Sequence, residues 1–213
     1  MTTDQLINLL VADLKPVDRA CISRALIIAL AGGAVSAFGV MFLLLGPHPS
    51  VFSSENSGFL IVKLLFTSGV VAAAAVFLPQ FARPGAEGRC FMVFVSAPFI
   101  AMAVLASMAF AFSHWSTWGK MAIGNTWLTC LHAIPFLAIV PFVAVVLALR
   151  TGAPTDQTRA GAAAGLVAGG LAAMACSLPC TDDSLPAIAV WYGLTIGMCA
   201  KFGARLGTSL LRW

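Results

Sequence analysis

Six apolar runs of about 20 residues dominate the hydrophobic pattern of this chain. They lie at residues 25–45, 59–78, 91–112, 125–149, 160–178 and 186–206. A helix needs about 20 residues to cross about 30 Å of hydrocarbon, so each run is long enough to span a bilayer. The runs lack the alternation of a membrane β-barrel, and lipid offers the backbone no hydrogen-bond partner. The pattern therefore predicts an all-α integral membrane protein, a six-transmembrane-helix bundle.

The residues ahead of the first run follow a different pattern. Thr2 and Gln5 have the spacing of a capping box, and Pro16 is expected to end a helix near Lys15. At helical periodicity one side of this segment is an apolar stripe, formed by Leu6, Ile7, Leu10, Val11 and Leu14. The sequence thus predicts two domains, a short amphipathic cytosolic segment at 1–24 and a transmembrane domain at 25–213.

An apolar stripe of this kind is expected to pack against another surface, either the membrane or a partner protein. A helix that lies on a membrane surface usually carries Lys and Arg on its polar face. Here Asp4 and Asp13 outnumber Lys15, and anionic lipid would repel them. The charge pattern favours a groove on a partner protein.

The basic residues predict the orientation. With six spans both termini share a side, and ten basic residues fall on it: Lys15, Arg19, Arg24, Arg83, Arg89, Arg150, Arg159, Lys201, Arg205 and Arg212. Lys63 and Lys120 fall towards the other side. Positive residues accumulate in cytoplasmic segments, so both termini are predicted to be cytoplasmic. The net charge of +4 then reflects topology, and no direct contact with nucleic acid is expected.

Composition and motifs argue against catalysis and transport. The chain is 60% hydrophobic and 9% charged, and none of its acidic residues falls in the middle of a span. Transporters usually place ionisable groups there. Lys63 and Lys201 lie near helix ends, from which they are expected to reach the membrane interface. No metalloprotease, nucleophile-elbow or phosphate-loop motif occurs, so neither an enzyme nor a cofactor is predicted. A small-molecule transporter or a membrane redox protein remains the alternative.

Glycines at fourth-residue spacing favour close helix packing in the last two spans. They are Gly161, Gly165, Gly169, Gly193, Gly197, Gly203 and Gly207. Such spacing lets two helix backbones approach closely. Packing within one chain is a more economical interpretation than a dimer interface.

Three of the six cysteines are predicted at the outer side: Cys130, Cys176 and Cys180. Disulfides persist on that side and soft metal ions arrive there first. Cys176 and Cys180 are one helical turn apart, although Pro179 lies between them. A Cys130–Cys180 disulfide and a thiolate metal site are both open, with Cys176 or His132 as further ligands. His132 is two residues from Cys130 and so points to another face, which makes it the weaker candidate.

Several segments resemble the NrsF family of bacterial inner-membrane anti-sigma factors, negative regulators of sigma F. They are residues 3–7 (TDQLI), 12–17 (ADLKPV), 125–127 (NTW), Cys130, 152–155 (GAPT), 180–184 (CTDDS), 190–192 (VWY) and 211–213 (LRW). The carboxy-terminal motifs are the most specific, and the resemblance extends over the full length.

The resemblance implies a function and the residues that perform it. An extracytoplasmic-function sigma factor would be held at the membrane through Leu6, Ile7, Leu10, Leu14, Pro16 and Val17. The family's signal-sensing cysteine pair falls on Cys130 and Cys180, which heavy-metal or oxidative stress would alter to release the sigma factor. Cys176 has no evident counterpart in the family pattern. The implied partners are a sigma factor, the lipid bilayer and soft heavy-metal ions acting as a signal.

Overall fold

The structure, a computed structural model, describes residues 19–44, 46, 57–82, 91–114, 117–124, 127–152, 154, 156–180 and 184–212. Its helices are α1 (Arg19–Leu44), α2 (Ser57–Phe81), α3 (Phe91–Ala111), α4 (Trp118–Ile123), α5 (Trp127–Arg150), α6 (Gln157–Cys176), α7 (Leu185–Ala187) and α8 (Gly193–Leu210). A π-turn at Ile188–Tyr192 joins α7 to α8, so that the three pieces form one continuous helix. The described residues contain no strand, which confirms the all-α prediction.

Six helices are long and apolar enough to cross a membrane, at the six places that the hydrophobic pattern predicts. Most of their ends differ from the predicted bounds, by up to six residues. The first helix begins at Arg19, six residues before the expected start of the span, and the second continues past Pro79 to Phe81. Large apolar side chains such as Leu43, Met92 and Phe112 point outward and are exposed, as lipid-facing residues would be.

Helix α6 lies at the centre of the bundle. Almost every residue of α6 from Ala160 onward is buried, and α1, α2, α5 and α8 all pack against it. This helix consists largely of alanine and glycine, so its side chains add little to its diameter. In contrast, α3 packs on α2 and on the start of the last span, at the edge of the bundle. Because the residues of α6 are small, other helices can approach it closely from several sides, and this favours its central position.

The predicted glycine packing is confirmed for α6 against α8 within the chain. A Cβ on Gly207 would lie 2.8 Å from the Cα of Gly161, and a Cβ on Gly203 would lie 3.0 Å from the Cα of Gly165. Gly197 does not take part, because a Cβ there would meet nothing within 4 Å. A Cβ on Gly193 would make only ordinary contacts with the ring of Phe99.

Two ends of the bundle can be distinguished by their chemistry. At one end, Arg150 donates from Nε to the carbonyl oxygen of Leu210 at 2.7 Å, and Gln157 donates from Nε2 to that of Leu211 at 3.1 Å. The last carbonyl groups of a helix have no partner within the helix, and these two hydrogen bonds pair such carbonyls at the end of α8. We call this the basic end, since Arg150, Arg159 and Arg205 are near it. Cys130, Cys176 and Cys180 lie at the opposite end.

Candidate thiol site

Three cysteine thiols meet at the end of the bundle opposite the basic end. The Sγ atom of Cys180 is 2.9 Å from that of Cys130 and 3.4 Å from that of Cys176. All three Sγ atoms lie within 4.8 Å of one another, and all three residues are buried. The shorter separation exceeds the roughly 2.05 Å of a disulfide bond, so no disulfide joins these three residues in the structure. We call Cys130, Cys176 and Cys180 the thiol cluster.

Local backbone structure brings each thiol to this position. Cys130 lies in the first turn of α5, and Cys176 is the last residue of α6. The chain turns after Cys176, yet the backbone N–H of Cys180 donates to the carbonyl oxygen of Cys176 at 3.3 Å. The turn therefore keeps Cys180 beside Cys176 even though α6 has ended, and Pro179 does not separate the two thiols.

Lys63 lies beside the cluster, contrary to the expectation that it extends to the membrane interface. Its side chain is only 2% exposed, and Nζ donates to the carbonyl oxygen of Cys180 at 2.9 Å. That carbonyl lies beyond the end of α6 and so lacks a helical partner. The buried ammonium group therefore takes the place that a helical N–H would have taken. Lys201, by comparison, is exposed.

Tyr192 places a polar group near the thiols from the π-turn. Its hydroxyl is fully buried and is the buried side-chain polar atom without a hydrogen-bond partner among the described residues. The sulfurs of Cys180, Cys176 and Cys130 are its main electrostatic neighbours. π-Turns inside α-helices often occur at functional sites. The hydrophobic pattern does not predict this π-turn, although residues 190–192 belong to a motif of the family.

Residues around the π-turn also form hydrogen bonds that hold the short helix α4 at the end of the bundle where the thiol cluster lies. The indole Nε1 of Trp191 donates to the carbonyl oxygens of Ala122 and Ile123, both at 3.0 Å. Ser184 donates from Oγ to the carbonyl oxygen of Met121 at 2.8 Å. These carbonyls are at the end of α4, so the last span provides the partners that the short helix cannot supply itself.

The surroundings favour a negative charge on one of the sulfurs. Hydrogen bonds with the thiols of Cys130 and Cys176 lower the pKa of Cys180, and the positive charge of Lys63 lowers it further, against the opposing effect of burial. A thiolate is both the nucleophile and the metal-binding form of cysteine. The site can therefore form a disulfide with an oxidant or bind a soft metal ion.

The other predicted site residues divide into two groups. His132 is exposed, its Nδ1 pairs with the carbonyl oxygen of Leu128 at 2.9 Å, and it lies outside the thiol cluster; Cys176, the other candidate, belongs to the cluster. A separation of two residues along a helix directs His132 away from Cys130. The predicted sigma-factor contacts lie outside the described residues: Leu6, Ile7, Leu10, Leu14, Pro16 and Val17.

The fold and site define a class, a polytopic helical protein that fits a membrane and buries a thiol cluster at one end. The family model described as "Negative regulator of sigma F" matches residues 10–213, so this chain belongs to the NrsF family. The "Probable anti-sigma-F factor NrsF" of Azospira oryzae is 29% identical to it, and the "Anti-sigma-F factor NrsF" of Caulobacter vibrioides is 30% identical. Both alignments cover 100% of this chain and 100% of the relative. No solved structure matches the chain.

Proposed function

We propose that this protein is a bacterial inner-membrane anti-sigma factor that holds an extracytoplasmic-function sigma factor and releases it under heavy-metal or oxidative stress. The family match over residues 10–213 carries the anti-sigma assignment. The contact between the thiols of Cys130 and Cys180 is the structural observation that supports sensing. In this proposal both termini are cytoplasmic, and the thiol cluster is near the outer face of the bilayer.

The cytosolic segment at 1–24 is the binding element of this proposal. Its apolar residues are Leu6, Ile7, Leu10 and Leu14, followed by Pro16 and Val17. An amphipathic helix binds a protein groove through residues at such spacing. The bound sigma factor would be kept at the membrane and away from RNA polymerase. The aspartates on the polar face would remain in water.

The bundle provides a physical connection between the two ends. Cys176 terminates α6, and α6 packs against four of the other spans. Its glycines contact the backbone of α8 directly, without flexible side chains between them. A change in the spacing of the sulfurs would therefore shift α5 and α6 relative to one another. Packed helices respond to such shifts by moving as rigid elements.

Co-purification tests the proposal. The full chain with a carboxy-terminal affinity tag is expected to capture a sigma factor from unstressed cells of its own species. A chain that lacks residues 2–20 should insert equally well and capture none. Addition of cadmium ions or the thiol oxidant diamide to the purified complex should release the sigma factor.

Cysteine variants separate sensing from binding in the same assay. The double variant Cys130→Ser/Cys180→Ser is expected to capture the sigma factor and to retain it when stressed. Cys199→Ser is the matched control, because Cys199 lies on α8 and outside the thiol cluster. Capture of no sigma factor by the wild-type chain would refute the anti-sigma role. Release from the double variant at wild-type doses would refute the sensor role alone.

A further inference from the structure

The thiol cluster contains one more sulfur than a two-cysteine sensor requires. Cys176 is fully buried, and its Sγ lies 3.4 Å from that of Cys180. Packing alone does not account for its surroundings, because the ammonium group of Lys63 and the partnerless hydroxyl of Tyr192 are also buried there. A polar or charged group in an apolar interior usually has a hydrogen-bond partner or an opposite charge beside it.

We propose that Cys130, Cys176 and Cys180 bind one thiophilic divalent cation as three thiolates, with Lys63 balancing the remaining negative charge. The inference rests on the proposed function, since it specifies the signal that the sensing site takes. It also assigns a role to Cys176, which the family resemblance leaves without one.

The separations of the three sulfurs suit a single ion. A metal–sulfur bond of ~2.3 Å, as for zinc, places the three sulfurs of a planar trigonal site ~4.0 Å apart. The Sγ atoms here lie within 4.8 Å of one another, and two of the separations are 2.9 and 3.4 Å. An ion between them would therefore push Cys130 and Cys176 away from Cys180 by a small distance. Since these residues belong to α5 and to the end of α6, the same displacement would carry the signal.

Charge selects the class of ion. Three thiolates and a divalent cation carry a net charge of −1, and the ammonium of Lys63 brings the buried assembly to zero. A trivalent centre such as arsenic(III) would form a neutral unit with the three sulfurs and leave the lysine unbalanced. Uncompensated charge is costly in a buried site. Thiolate ligands favour soft ions over hard ones, so we expect the site to bind soft divalent cations such as cadmium.

Tyr192 completes the surroundings of the ion. A hydroxyl can donate one hydrogen bond, and a metal-bound thiolate has lone pairs to accept it. Residues that hydrogen-bond to the ligands of a metal ion commonly change the affinity of the site for that metal. The hydroxyl that lacks a partner in the structure would thus gain one when the cation binds.

Binding is an exchange of protons and not of electrons. Each sulfur that arrives as a thiol loses its proton to water and forms a bond to the cation. Up to three protons leave for each cation bound. Formation of a disulfide would instead remove two electrons and two protons from two thiols and would require an oxidant. The two signals therefore differ in whether a reductant reverses them.

The direct experiment counts sulfur ligands. Full-length protein is purified in detergent, reduced without oxygen and titrated with cadmium chloride. We expect one cadmium per chain, with three sulfur neighbours by cadmium X-ray absorption. Cys176→Ser should keep two sulfur neighbours and bind cadmium more weakly than the wild type, because it removes one thiolate ligand. Cys199→Ser is the control and should match the wild type in both measurements.

A second pair of measurements tests the role of Lys63. Lys63→Met is expected to weaken cadmium binding about tenfold, as is common when a supporting group outside the ligands is removed. The same variant should not weaken the binding of arsenite. A loss of equal size for both ligands would show that the substitution acts through folding, and it would refute the charge-balance argument.

Two results overturn the three-thiolate site. One is an absence of cadmium binding by the reduced wild-type chain, and the other is a wild-type cadmium centre with two sulfur neighbours. The first leaves the Cys130–Cys180 disulfide as the signal, and the second leaves Cys176 as a packing residue. Failure of the proposed function is distinguishable, because cadmium could bind through three sulfurs to a protein that captures no sigma factor.

Discussion

At the scale of single residues, Lys63 and Tyr192 are polar groups buried among apolar helices. Lys63 has a carbonyl partner, the backbone oxygen of Cys180, whereas the hydroxyl of Tyr192 has none. A buried hydroxyl without a hydrogen bond costs about 1–3 kcal/mol relative to one that is paired. An unpaired Tyr192 hydroxyl therefore lowers the free energy of unfolding, and the sulfurs of Cys180, Cys176 and Cys130 are the polar groups around it.

Removal of the hydroxyl should stabilise the metal-free protein. We expect Tyr192→Phe to raise the free energy of unfolding by about 1 kcal/mol in the presence of a chelator, because it removes an unpaired buried group. Thr195→Val is the matched control one turn later, since the Thr195 hydroxyl already donates to the carbonyl oxygen of Trp191 at 2.7 Å. Thermal unfolding in detergent measures both. A lower melting temperature for Tyr192→Phe would show that the hydroxyl is paired in the resting protein.

At the scale of elements, helices α6 and α8 approach each other backbone to backbone. Lipid is as apolar as the helices, so association depends on close packing and not on a hydrophobic driving force. Glycines supply that packing on both helices, and Gly161 faces both Gly203 and Gly207. The contact connects the helix that ends at Cys176 to the last span of the chain.

A single methyl group should separate these helices. Gly203→Ala is expected to lower the free energy of unfolding by about 1–3 kcal/mol, because the new Cβ would press on the backbone of Gly161 and Gly165. Gly197→Ala, on the same helix, adds its Cβ where nothing lies within 4 Å and should cause no loss. Unfolding of the purified variants in mild detergent compares them. Equal stability of the two variants would contradict the observed α6–α8 contact.

At the scale of the whole molecule, the bundle has a basic end and a thiol end. Arg150 and Gln157 bond to the end of α8 at the first, and Cys130, Cys180 and Lys63 meet at the second. By the charge bias that orients membrane proteins, the proposal puts the basic end in the cytoplasm. The proposed output at 1–24 and the sensing site would then lie on opposite sides of the membrane.

Reporter fusions test this orientation. Green fluorescent protein fused after residue 213 is expected to fluoresce, because it folds in the cytoplasm. Alkaline phosphatase fused after residue 52 should be active, because it requires the oxidising compartment outside the inner membrane. Alkaline phosphatase fused after residue 86 is the control and should be inactive. The reverse pattern would place the thiol cluster in the cytoplasm and remove the argument for an external signal.

Much of the fold could be predicted because the solvent imposes it. Long apolar runs favour helices, and the structure has six helices that are long and apolar enough to cross a membrane at the predicted places. The ends were less accurate, as at Arg19, because polar residues can extend a helix beyond the hydrocarbon. The three cysteines that the sequence predicts on one side, Cys130, Cys176 and Cys180, do lie together. Depth alone could not show which thiols touch.

The sequence by itself determined the helical class, the number of spans, the charge asymmetry and the family. Each of these depends on local composition or on motifs read along the chain. Only the tertiary structure decided that Lys63 bonds to Cys180, 117 residues away, that Cys176 joins Cys130 and Cys180, and that His132 does not. Such contacts depend on how helices rotate and pack against each other. That packing is set by the small residues of α6, so the thiol cluster is a property of the assembled bundle.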